Sequence, residues 1–253
     1  MQGVIYSTSG RAREYEEHAI NIYSGCGHLC KYCYGPDIIK ISKELWENPI
    51  PRDNILERVK LEASAFKGKT VQLCFVTDPY QPINDQLRLT REIIKVLHEN
   101  EVRVSILTKG GRRSVQDIDL LSNNPELSKY GTTLTFMETK DSLEWESGAA
   151  LPSERIEALK IMHDAGIETW VSMEPVIEPR QTFQLIKMTH EFVDIFKIGT
   201  LNYHPHAETI DWRQFGESVI SILNRIGANY YIKNDLRNKM LPSTIIKIKE
   251  RGR

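Results

Sequence analysis

Residues 21–34 read Asn-Ile-Tyr-Ser-Gly-Cys-Gly-His-Leu-Cys-Lys-Tyr-Cys-Tyr, with cysteines at positions 26, 30 and 33. Thiolates spaced C-x3-C-x2-C on one loop can converge on a single metal centre, and such soft ligands suit zinc, copper(I) or an iron–sulfur cluster. A structural zinc site needs four closed ligands, for which His28 and the distant Cys74 are the candidates. A cubane cluster held by three thiolates leaves one iron open. The spacing favours an iron–sulfur cluster and leaves zinc, or thiols without a metal, as alternatives.

Apolar runs typical of strands alternate with helix-like segments along the rest of the chain. Six such units indicate a parallel sheet, because parallel strands need crossover helices. Repeated right-handed crossovers curl the sheet toward a barrel, and six units are two short of a closed one. The predicted fold class is therefore α/β, an open partial (β/α)6 TIM-like barrel with a short C-terminal extension. The predicted strands are 18–25, 70–76, 102–107, 131–137, 167–173 and 193–198; the predicted helices are 51–66, 90–100 (with Thr90 as N-cap), 114–121, 152–165, 182–192 and 211–226; the extension adds a strand at 229–233 and a helix at 234–240.

The composition limits the class of protein. The chain has 253 residues and a net charge of −1, and its 40% hydrophobic and 26% charged residues exclude intrinsic disorder. No apolar run reaches the roughly 20 residues that span a bilayer, and the first residues lack the basic and apolar regions of a secretory signal. Four cysteines in a chain of this length do not indicate a disulfide scaffold. We therefore expect a cytoplasmic protein with no membrane partner and a single domain over 1–253, its core at about 18–227 and its extension at about 228–253.

Basic residues are concentrated near the C-terminus, although the whole chain has no excess of them. Residues 230–253 hold seven Lys and Arg against two acidic residues, a net charge of +5. A surface that binds nucleic acid usually carries such an excess. The segment is either a patch that faces a polyanion or a solvated tail. Its basic residues are Lys233, Arg237, Lys239, Lys247, Lys249, Arg251 and Arg253.

In folds of this class, functional side chains gather where the strands run into the following loops. The cysteine loop follows the first predicted strand. The later strand ends carry Thr77 and Asp78, Lys109, Thr135 and Glu174. One rim of the barrel is therefore predicted to hold thiols, carboxylates, a lysine and hydroxyls.

The cysteine motif, with Tyr32 directly before its third cysteine and a strand ahead of it, resembles that of the radical S-adenosylmethionine (SAM) superfamily. Longer strings resemble a narrower group, the spore photoproduct lyase-like proteins, which are often described as predicted DNA repair photolyases. The resemblance covers about residues 10–200. The cysteine motif is specific for the superfamily, whereas the other strings support the subgroup and say less about the substrate. The strings are Gly10-Arg-Ala-Arg-Glu-Tyr15, residues 21–34, Val76-Thr-Asp-Pro-Tyr-Gln-Pro82, Leu89-Thr-Arg91, Ile106-Leu-Thr-Lys109 and Asp117-Ile-Asp-Leu-Leu121.

In that superfamily three thiolates hold a [4Fe–4S] cluster, and the amino and carboxylate groups of SAM bind the fourth iron. One electron then splits the sulfonium into methionine and a 5′-deoxyadenosyl radical, which abstracts hydrogen from the substrate, so the cofactors carry the hard chemistry. The resemblance implies that Cys26, Cys30 and Cys33 bind the cluster and that a reductant protein such as a flavodoxin or ferredoxin supplies the electron. It makes a nucleic acid the leading substrate class, with a small molecule or peptide as the alternative. A zinc-binding interaction module is the alternative from another class of protein.

The resemblance also implies roles for the rim residues. Thr77 and Asp78 lie where relatives bind the amino end of SAM, and Lys109 matches a lysine that meets its carboxylate. Thr135 corresponds to a hydroxyl near the ribose, and Glu174 to a position that faces the adenosine. Each residue also has a structural interpretation: a turn at Asp78, a solvated loop at Lys109, and packing at Thr135 and Glu174.

Three tyrosines and one cysteine are further candidates. By the resemblance, the ring of Tyr32 packs beside the adenine, unless Tyr32 is a core residue. Spore photoproduct lyases use a cysteine at the end of the second strand as hydrogen donor; here the spare thiol is Cys74, which strand alternation points into the barrel at a deeper level. A buried thiol can also be a small apolar residue. Tyr34 and Tyr80 are candidates for a radical relay. With three thiols committed, the chain cannot hold a second cluster by four-cysteine ligation.

Three other segments carry reactive residues without a recognisable motif. Gly110-Gly-Arg-Arg113 can contact phosphate but lacks the phosphate-loop pattern. Residues 203–206, Tyr-His-Pro-His, and residues 145–148, Trp-Glu-Ser-Gly, follow the sixth and fourth strands. We expect both to border the cavity.

Overall fold

A mostly parallel sheet organises the computed structural model, which describes residues 3–241. Its strands are β1 Tyr6–Ser7, β2 His18–Ile20, β3 Tyr23–Ser24, β4 Ile50–Pro51, β5 Thr70–Leu73, β6 Arg103–Thr108, β7 Ser128–Thr133, β8 Glu168–Met173, β9 Ile195–Ile198 and β10 Tyr230–Ile232. Eight of them form one sheet in the order β1-β2-β5-β6-β7-β8-β9-β10, in which only β1 is antiparallel to its neighbour. The sheet is not closed, which confirms the predicted open barrel.

Helices connect and follow the strands along the chain, and several of them pack on the sheet. They are α1 Gly35–Ile39, α2 Lys43–Glu47, α3 Ile55–Glu62, α4 Asn84–Leu87, α5 Leu89–Glu99, α6 Arg112–Val115, α7 Ile118–Ser122, α8 Thr139–Trp145, α9 Pro152–Asp164, α10 Pro179–Thr189, α11 Trp212–Arg225 and α12 Asn234–Met240. The core lies between the two layers, where Leu97 of α5 and Leu159 of α9 are fully buried with Ile106 of β6. Within residues 3–241, no helix has both the length and the apolar character needed to cross a membrane.

The two edges of the sheet approach each other through a short segment of the chain. Residues Gly10–Glu14 form a 3-10 helix between β1 and β2, at one edge. Arg11 forms a 2.6 Å ion pair with Asp235, which follows β10 at the other edge. The Glu14 carboxylate accepts hydrogen bonds from the Tyr231 hydroxyl at 3.1 Å and the Asn234 amide at 2.7 Å. This segment therefore spans the gap that the missing strands leave open.

The barrel interior is filled rather than hollow. Trp170 of β8 points inward opposite Gly131 of β7, and a Cβ at residue 131 would lie 2.2 Å from the indole ring. Glycine is required here because the ring occupies the space of a side chain. The Trp170 ring thus fills the interior between β7 and β8, and a cavity lies toward the carboxyl ends of the strands.

Two predicted elements near the cysteine motif have different bounds. The predicted strand 18–25 is split, because Tyr23–Ser24 pairs with Ile50–Pro51 in a separate two-stranded ribbon. That pairing also delays the predicted helix 51–66, which begins at Ile55 and ends in the 3-10 turn Ala63–Phe66. Helices α1 and α2, between the motif and the ribbon, were not predicted.

Two further predictions were wrong in detail. Thr90 is not an N-cap, because α5 begins one residue earlier after Arg88, whose φ of 53° is left-handed. The Thr90 amide bonds to Asn84 Oδ1 instead, at 3.1 Å. The predicted strand 131–137 ends at Thr133, and the chain then turns into the unpredicted helix α8.

The C-terminal extension forms as predicted, with β10 at residues 230–232 parallel to β9 and α12 at Asn234–Met240. Four of the seven basic residues of this segment, Lys247, Lys249, Arg251 and Arg253, lie outside the described residues.

Candidate active site

The carboxyl ends of the parallel strands open onto one cavity of about 440 Å³. A volume of this size suits a small-molecule ligand. One side, which we call the thiol end, is lined by residues 26–33 (the cysteine loop) and the loops after β5 and β6. The other side, the tyrosine end, is lined by residues 9–15 and the loops after β8, β9 and β10. The thiol end contains Cys26, His28, Cys30, Tyr32, Cys33, Thr77, Asp78 and Lys109; the tyrosine end contains Arg11, Tyr15, Tyr34, Glu174, Asn202, Tyr203 and Lys233.

Backbone hydrogen bonds hold the cysteine loop on both of its flanks. The Cys26 amide donates to the Trp46 carbonyl at 2.8 Å, and the Lys31 amide donates to the Trp145 carbonyl at 2.8 Å. Gln81, which is fully buried, accepts from the Gly27 amide at 2.8 Å and donates to the Gly25 carbonyl. Neighbouring segments of the chain therefore hold the loop on both sides.

A second segment of the chain, residues 146–148, packs closely against the other side of the loop. The Gly148 amide donates to the His28 carbonyl at 3.0 Å, and Cys30 and Glu146 form an antiparallel bridge. A Cβ at residue 148 would lie 2.1 Å from the Gly27 carbonyl oxygen. Residues 145–148, predicted to flank the cavity, instead brace the cysteine loop from behind.

The three thiols of the loop are free and face the same cavity. Burial raises the pKa of Cys30 to about 12 and raises the pKa values of Cys26 and Cys33 as well. A metal must therefore displace protons to bind here. In the part of the chain described, no three His, Cys, Asp or Glu side chains converge closely enough to hold one metal ion. Soft donors spread along one loop fit an iron–sulfur cluster, which distributes its thiolates over several irons.

Asp78 is brought to the thiol end, but its carboxylate is engaged by the protein. It accepts from the Thr108 hydroxyl at 2.6 Å and from the Lys109 and Tyr80 amides at 2.7 and 2.8 Å. His28 Nδ1 lies 3.3 Å away. Burial alone would raise the pKa of Asp78, but His28 and these donors lower it to about 2. This geometry favours an ionised brace between the strand ends.

Two buried polar atoms at this end have no hydrogen-bonding nitrogen or oxygen within the described chain. They are the Thr77 hydroxyl and His28 Nε2, both on residues that line the cavity. The loop before Thr77 is held in place by Asn21, whose side-chain oxygen accepts from the amides of Val76 and Phe75 at 2.9 and 3.2 Å. Buried polar groups normally have partners, so these two atoms indicate a polar ligand in the cavity.

Lys109 also reaches the thiol end, and its ammonium group has no carboxylate within 4 Å among residues 3–241. Its Nζ lies 5.6 Å from the centre of the Tyr32 ring. Burial lowers the pKa of Lys109, but the charges of Cys30 and Glu146 outweigh burial and raise the pKa overall. A charged, unpaired lysine in a cavity is suited to bind an anionic group.

Tyr32 and Thr135 belong to a buried network that sequence reasoning missed. Both hydroxyls donate to the carboxylate of Glu146, Thr135 at 3.0 Å, and Glu146 pairs with Arg155 at 2.6 Å. Thr135 lies in this network behind the cavity wall, whereas Tyr32 both joins the network and lines the cavity. A sequence signal existed, because Arg155 shares the buried face of α9 with Ala158, Leu159 and Met162.

Glu174 lies at the tyrosine end, where it also has internal partners. Its carboxylate pairs with Lys233, whose side chain is 2% exposed, and accepts from the Tyr15 hydroxyl at 2.8 Å. The Tyr15 hydroxyl lies 3.1 Å from Ser172 Oγ. Gly199 gives the carboxylate room, since a Cβ there would lie 2.6 Å from Glu174 Oε1. Sequence reasoning noticed Lys233 only as part of a basic tail.

Exposed tyrosines rim the mouth of the tyrosine end. The rings of Tyr34 and Tyr203 lie 6.5 Å apart, and Tyr203 is 76% exposed. Arg11 donates to the Tyr203 hydroxyl at 2.8 Å, and its guanidinium lies 5.0 Å from the ring centre.

Cys74 lines the cavity but is buried at 2% exposure, and burial raises its pKa to about 12.

Other sequence candidates are placed elsewhere. Tyr80 is fully buried in the core and is not among the residues that line the cavity. Arg112 pairs with Glu157 and Arg113 with Asp85, and neither arginine is among the residues that line the cavity. His204 and His206 pack against Trp145, outside the residues that line the cavity.

Comparisons with known proteins found a matching family model, a relative similar in sequence and structures of similar fold. The family model described as the radical SAM superfamily matches residues 20–193. The uncharacterized protein MJ0683 of Methanocaldococcus jannaschii is 27% identical over 226 residues, which are 85% of this chain and 83% of that protein. A double mutant of spore photoproduct lyase with bound AdoMet and dinucleoside spore photoproduct has a similar fold, with a TM-score of 0.70, 12% identity, and coverage of 89% of this chain and 78% of the lyase. Streptococcus suis SuiB bound to S-adenosylmethionine gives a TM-score of 0.64 at 14% identity, covering 85% of this chain and 50% of SuiB.

Proposed function

The chain belongs to the radical SAM superfamily of enzymes, and from this premise we propose that it binds a [4Fe–4S] cluster and SAM at the thiol end and starts radical chemistry on a substrate at the tyrosine end. The family uses that cluster and that cofactor, and solved relatives of the same fold have SAM bound. Membership of this enzyme family sets aside the zinc-binding interaction module.

When bound, the cluster and SAM supply a 5′-deoxyadenosyl radical. The chain's own residues bind and orient these groups. We assign Cys26, Cys30 and Cys33 as the cluster ligands. The ammonium of Lys109 binds the SAM carboxylate, and the Thr77 hydroxyl, which has no nitrogen or oxygen partner among the described residues, accepts from its amino group.

Other candidates receive positioning roles. Asp78 holds the strand ends rather than the ligand, because four protein groups already occupy its carboxylate. Tyr32 remains a candidate for contact with the adenine, since it lines the cavity, and Thr135 supports Tyr32 through Glu146. Glu174 lies at the tyrosine end and is held there by Lys233 and Tyr15.

For the substrate we propose the base of a nucleic acid rather than its phosphate backbone. The charged side chains that line the tyrosine end are paired within the chain, Arg11 with Asp235 and Lys233 with Glu174. What remains are the rings of Tyr34 and Tyr203, because the Asn202 amide bonds to Thr200 and Asp235. Aromatic rings recognise an uncharged planar group by stacking. Tyr34 at the tyrosine end and Cys74 after β5 are the candidates for hydrogen or radical transfer.

The chemistry also needs an electron source. We propose a reductant protein such as a flavodoxin or ferredoxin in the cytoplasm, where free cysteines remain reduced.

One observation carries the proposal most directly: three free thiols on a braced loop face the same cavity as an unpaired lysine. The test is formation of 5′-deoxyadenosine from SAM by anaerobically reconstituted, chemically reduced protein, with Cys30→Ala as control. Cleavage by the wild type and none by the variant supports the proposal. Iron-loaded wild type that forms no 5′-deoxyadenosine, with or without added substrates, contradicts it.

The substrate is tested in the same assay by adding single-stranded oligonucleotides, duplex DNA or peptides. We expect oligonucleotides to stimulate 5′-deoxyadenosine formation, with a weak dependence on salt because few phosphates are neutralised. Stimulation by peptides alone would favour the alternative substrate class. A steep salt dependence would instead indicate that the basic residues beyond 241 bind the backbone.

A further inference from the structure

A buried ion pair lies behind the thiol end and is not part of the cavity lining. Glu146 has no exposed side-chain surface, and the Arg155 side chain is 1% exposed; their charged groups are 2.6 Å apart. Glu146 follows helix α8, and Arg155 belongs to helix α9. Two fully buried charges are rarely kept in a core for stability alone, since desolvation offsets most of their attraction.

The Glu146 side of the pair is attached to the cysteine loop. Glu146 forms the backbone bridge with Cys30, and its carboxylate accepts the Tyr32 hydroxyl. The loop is thus held at two residues that flank Lys31. A shift of Glu146 would move Cys30 and Tyr32 together.

The Arg155 side is attached to the strand ends. Its Nε donates to the Ala150 carbonyl at 2.8 Å, and its Nη1 donates to the Thr133 carbonyl at 3.2 Å. The Ala150 amide in turn donates to the Lys109 carbonyl at 3.0 Å. Arg155 therefore links the end of β7 to the backbone of the lysine assigned to SAM.

We propose that the Glu146–Arg155 pair is a positioning device that sets the cysteine loop and Lys109 at a fixed separation and places two opposed charges next to the cluster. The inference rests on the proposed function, because the loop and the lysine act together only if a cluster and SAM bind between them. Neither residue touches these groups; both act through Cys30, Tyr32 and Lys109.

The two charges have opposite effects on a nearby redox centre. A cluster's reduction potential depends on the net charge and hydrogen bonding around it. Arg155→Met leaves the negative Glu146 unpaired, so the cluster potential should shift to a more negative value. Glu146→Gln leaves the positive Arg155 unpaired and should shift the potential to a more positive value. Disruption by misfolding alone would not produce shifts of opposite sign.

A double variant separates positioning from stability. Glu146→Leu combined with Arg155→Met leaves no unpaired charge, and such apolar replacements of buried pairs are often neutral for stability. We expect this variant to remain folded and to unfold at a lower temperature than the wild type, because the Tyr32 and Thr135 hydroxyls and the Ala150 carbonyl lose these partners. Its loop has nevertheless lost its anchor, so its dissociation constant for SAM should rise about tenfold, as for other lost outer-shell contacts.

The experiment compares iron and sulfide content, the potential of the cluster by electron paramagnetic resonance (EPR), and SAM affinity in the reconstituted variants. Asp117→Asn is the matched control, because Asp117 is also buried and paired, with Arg88 and Arg91, and does not line the cavity. It should lower stability and leave the potential and SAM affinity unchanged.

Opposite shifts in the single variants, together with weakened SAM binding in a folded double variant, support the positioning role. A folded double variant with wild-type SAM affinity overturns it and leaves the proposed function intact. Wild-type protein that takes up no cluster contradicts the proposed function and the inference together.

Discussion

The thiol end and the tyrosine end of the cavity use their charged side chains in opposite ways. At the thiol end, Lys109 has no carboxylate partner among the described residues, three thiols are free, and two buried polar atoms lack partners. At the tyrosine end, Lys233 and Arg11 are each paired with a carboxylate. One end is thus incomplete without a ligand, and the other is complete by itself.

The thiol end therefore has polar groups that can bind a charged ligand, whereas the side chains of the tyrosine end are held in place by partners within the chain. Unpaired groups in a low-dielectric cavity gain most when a charged ligand supplies their partner. Charged groups that are already paired gain little from a charged ligand. A site built from them selects its ligand by shape and by stacking on its aromatic rings. The two ends therefore match a charged cofactor on one side and an uncharged substrate group on the other.

The largest expected effect is the loss of a cluster ligand. Cys30→Ala should abolish the [4Fe–4S] cluster, because only two of the three assigned thiolate ligands would remain on the cysteine loop. Iron and sulfide analysis of reconstituted protein measures this. Cys74→Ala is the matched control and should retain full iron content. Full iron content in Cys30→Ala would show that the cluster ligands have been misassigned.

Lys109 and Lys233, one at each end of the cavity, provide a direct test of the difference between the two ends. Lys233→Met should lower the free energy of unfolding by about 3 kcal/mol, because it leaves the Glu174 carboxylate without its cation. Lys109→Met should leave stability nearly unchanged but raise the dissociation constant for SAM at least tenfold, about 1.4 kcal/mol. Urea unfolding and SAM titration of both variants test this. If the two variants exchanged these effects, the distinction between the two ends would be wrong.

The lowered pKa of Asp78 predicts that the free energy of unfolding decreases at low pH. Its pKa is lowered from 3.8 to about 2 in the folded chain, so the unfolded state binds more protons between these values. The carboxylate therefore contributes about 2 kcal/mol above pH 4, and this contribution is lost as the pH falls toward 2. Asp78→Asn should remove that part of the pH dependence. Unfolding of the metal-free protein at several pH values measures it; identical profiles for the variant and the wild type would contradict the brace.

The smallest effect is expected at the rim. The Arg11–Asp235 pair is 40% and 24% exposed at its two side chains, so Arg11→Met should cost less than about 1 kcal/mol of stability. Thermal unfolding measures this. A loss of several kcal/mol would mean that residues 10–14, rather than the sheet, hold the two edges of the barrel together.

Much of the fold could be predicted because it follows from local patterns. The alternation of strands and helices, the open barrel and the added strand at the end are encoded in periodicity and crossover rules. The predicted first strand, 18–25, was wrong because Tyr23–Ser24 pairs with Ile50–Pro51 instead of continuing β2. That contact joins residues far apart in sequence and has no local signal.

The site was predictable to the extent that a motif or a strand end marks it. The cysteines, Thr77 and Lys109 lie at strand ends and line one cavity. The partners of the site residues were not predictable in this way. Asp78 has the residue type of a ligand-binding group, but Tyr80 of its own segment and neighbours from two other segments occupy its carboxylate. Arg155 on an apolar helix face was the one visible sign of the pair with Glu146.

The most direct test of the central claim is the EPR spectrum of reduced, reconstituted wild-type protein before and after addition of SAM. An incomplete thiol end predicts a [4Fe–4S] signal that changes when SAM binds the open iron, and a weaker response in Lys109→Met. A signal that SAM does not alter, or a protein that binds zinc and no iron, would contradict the claim.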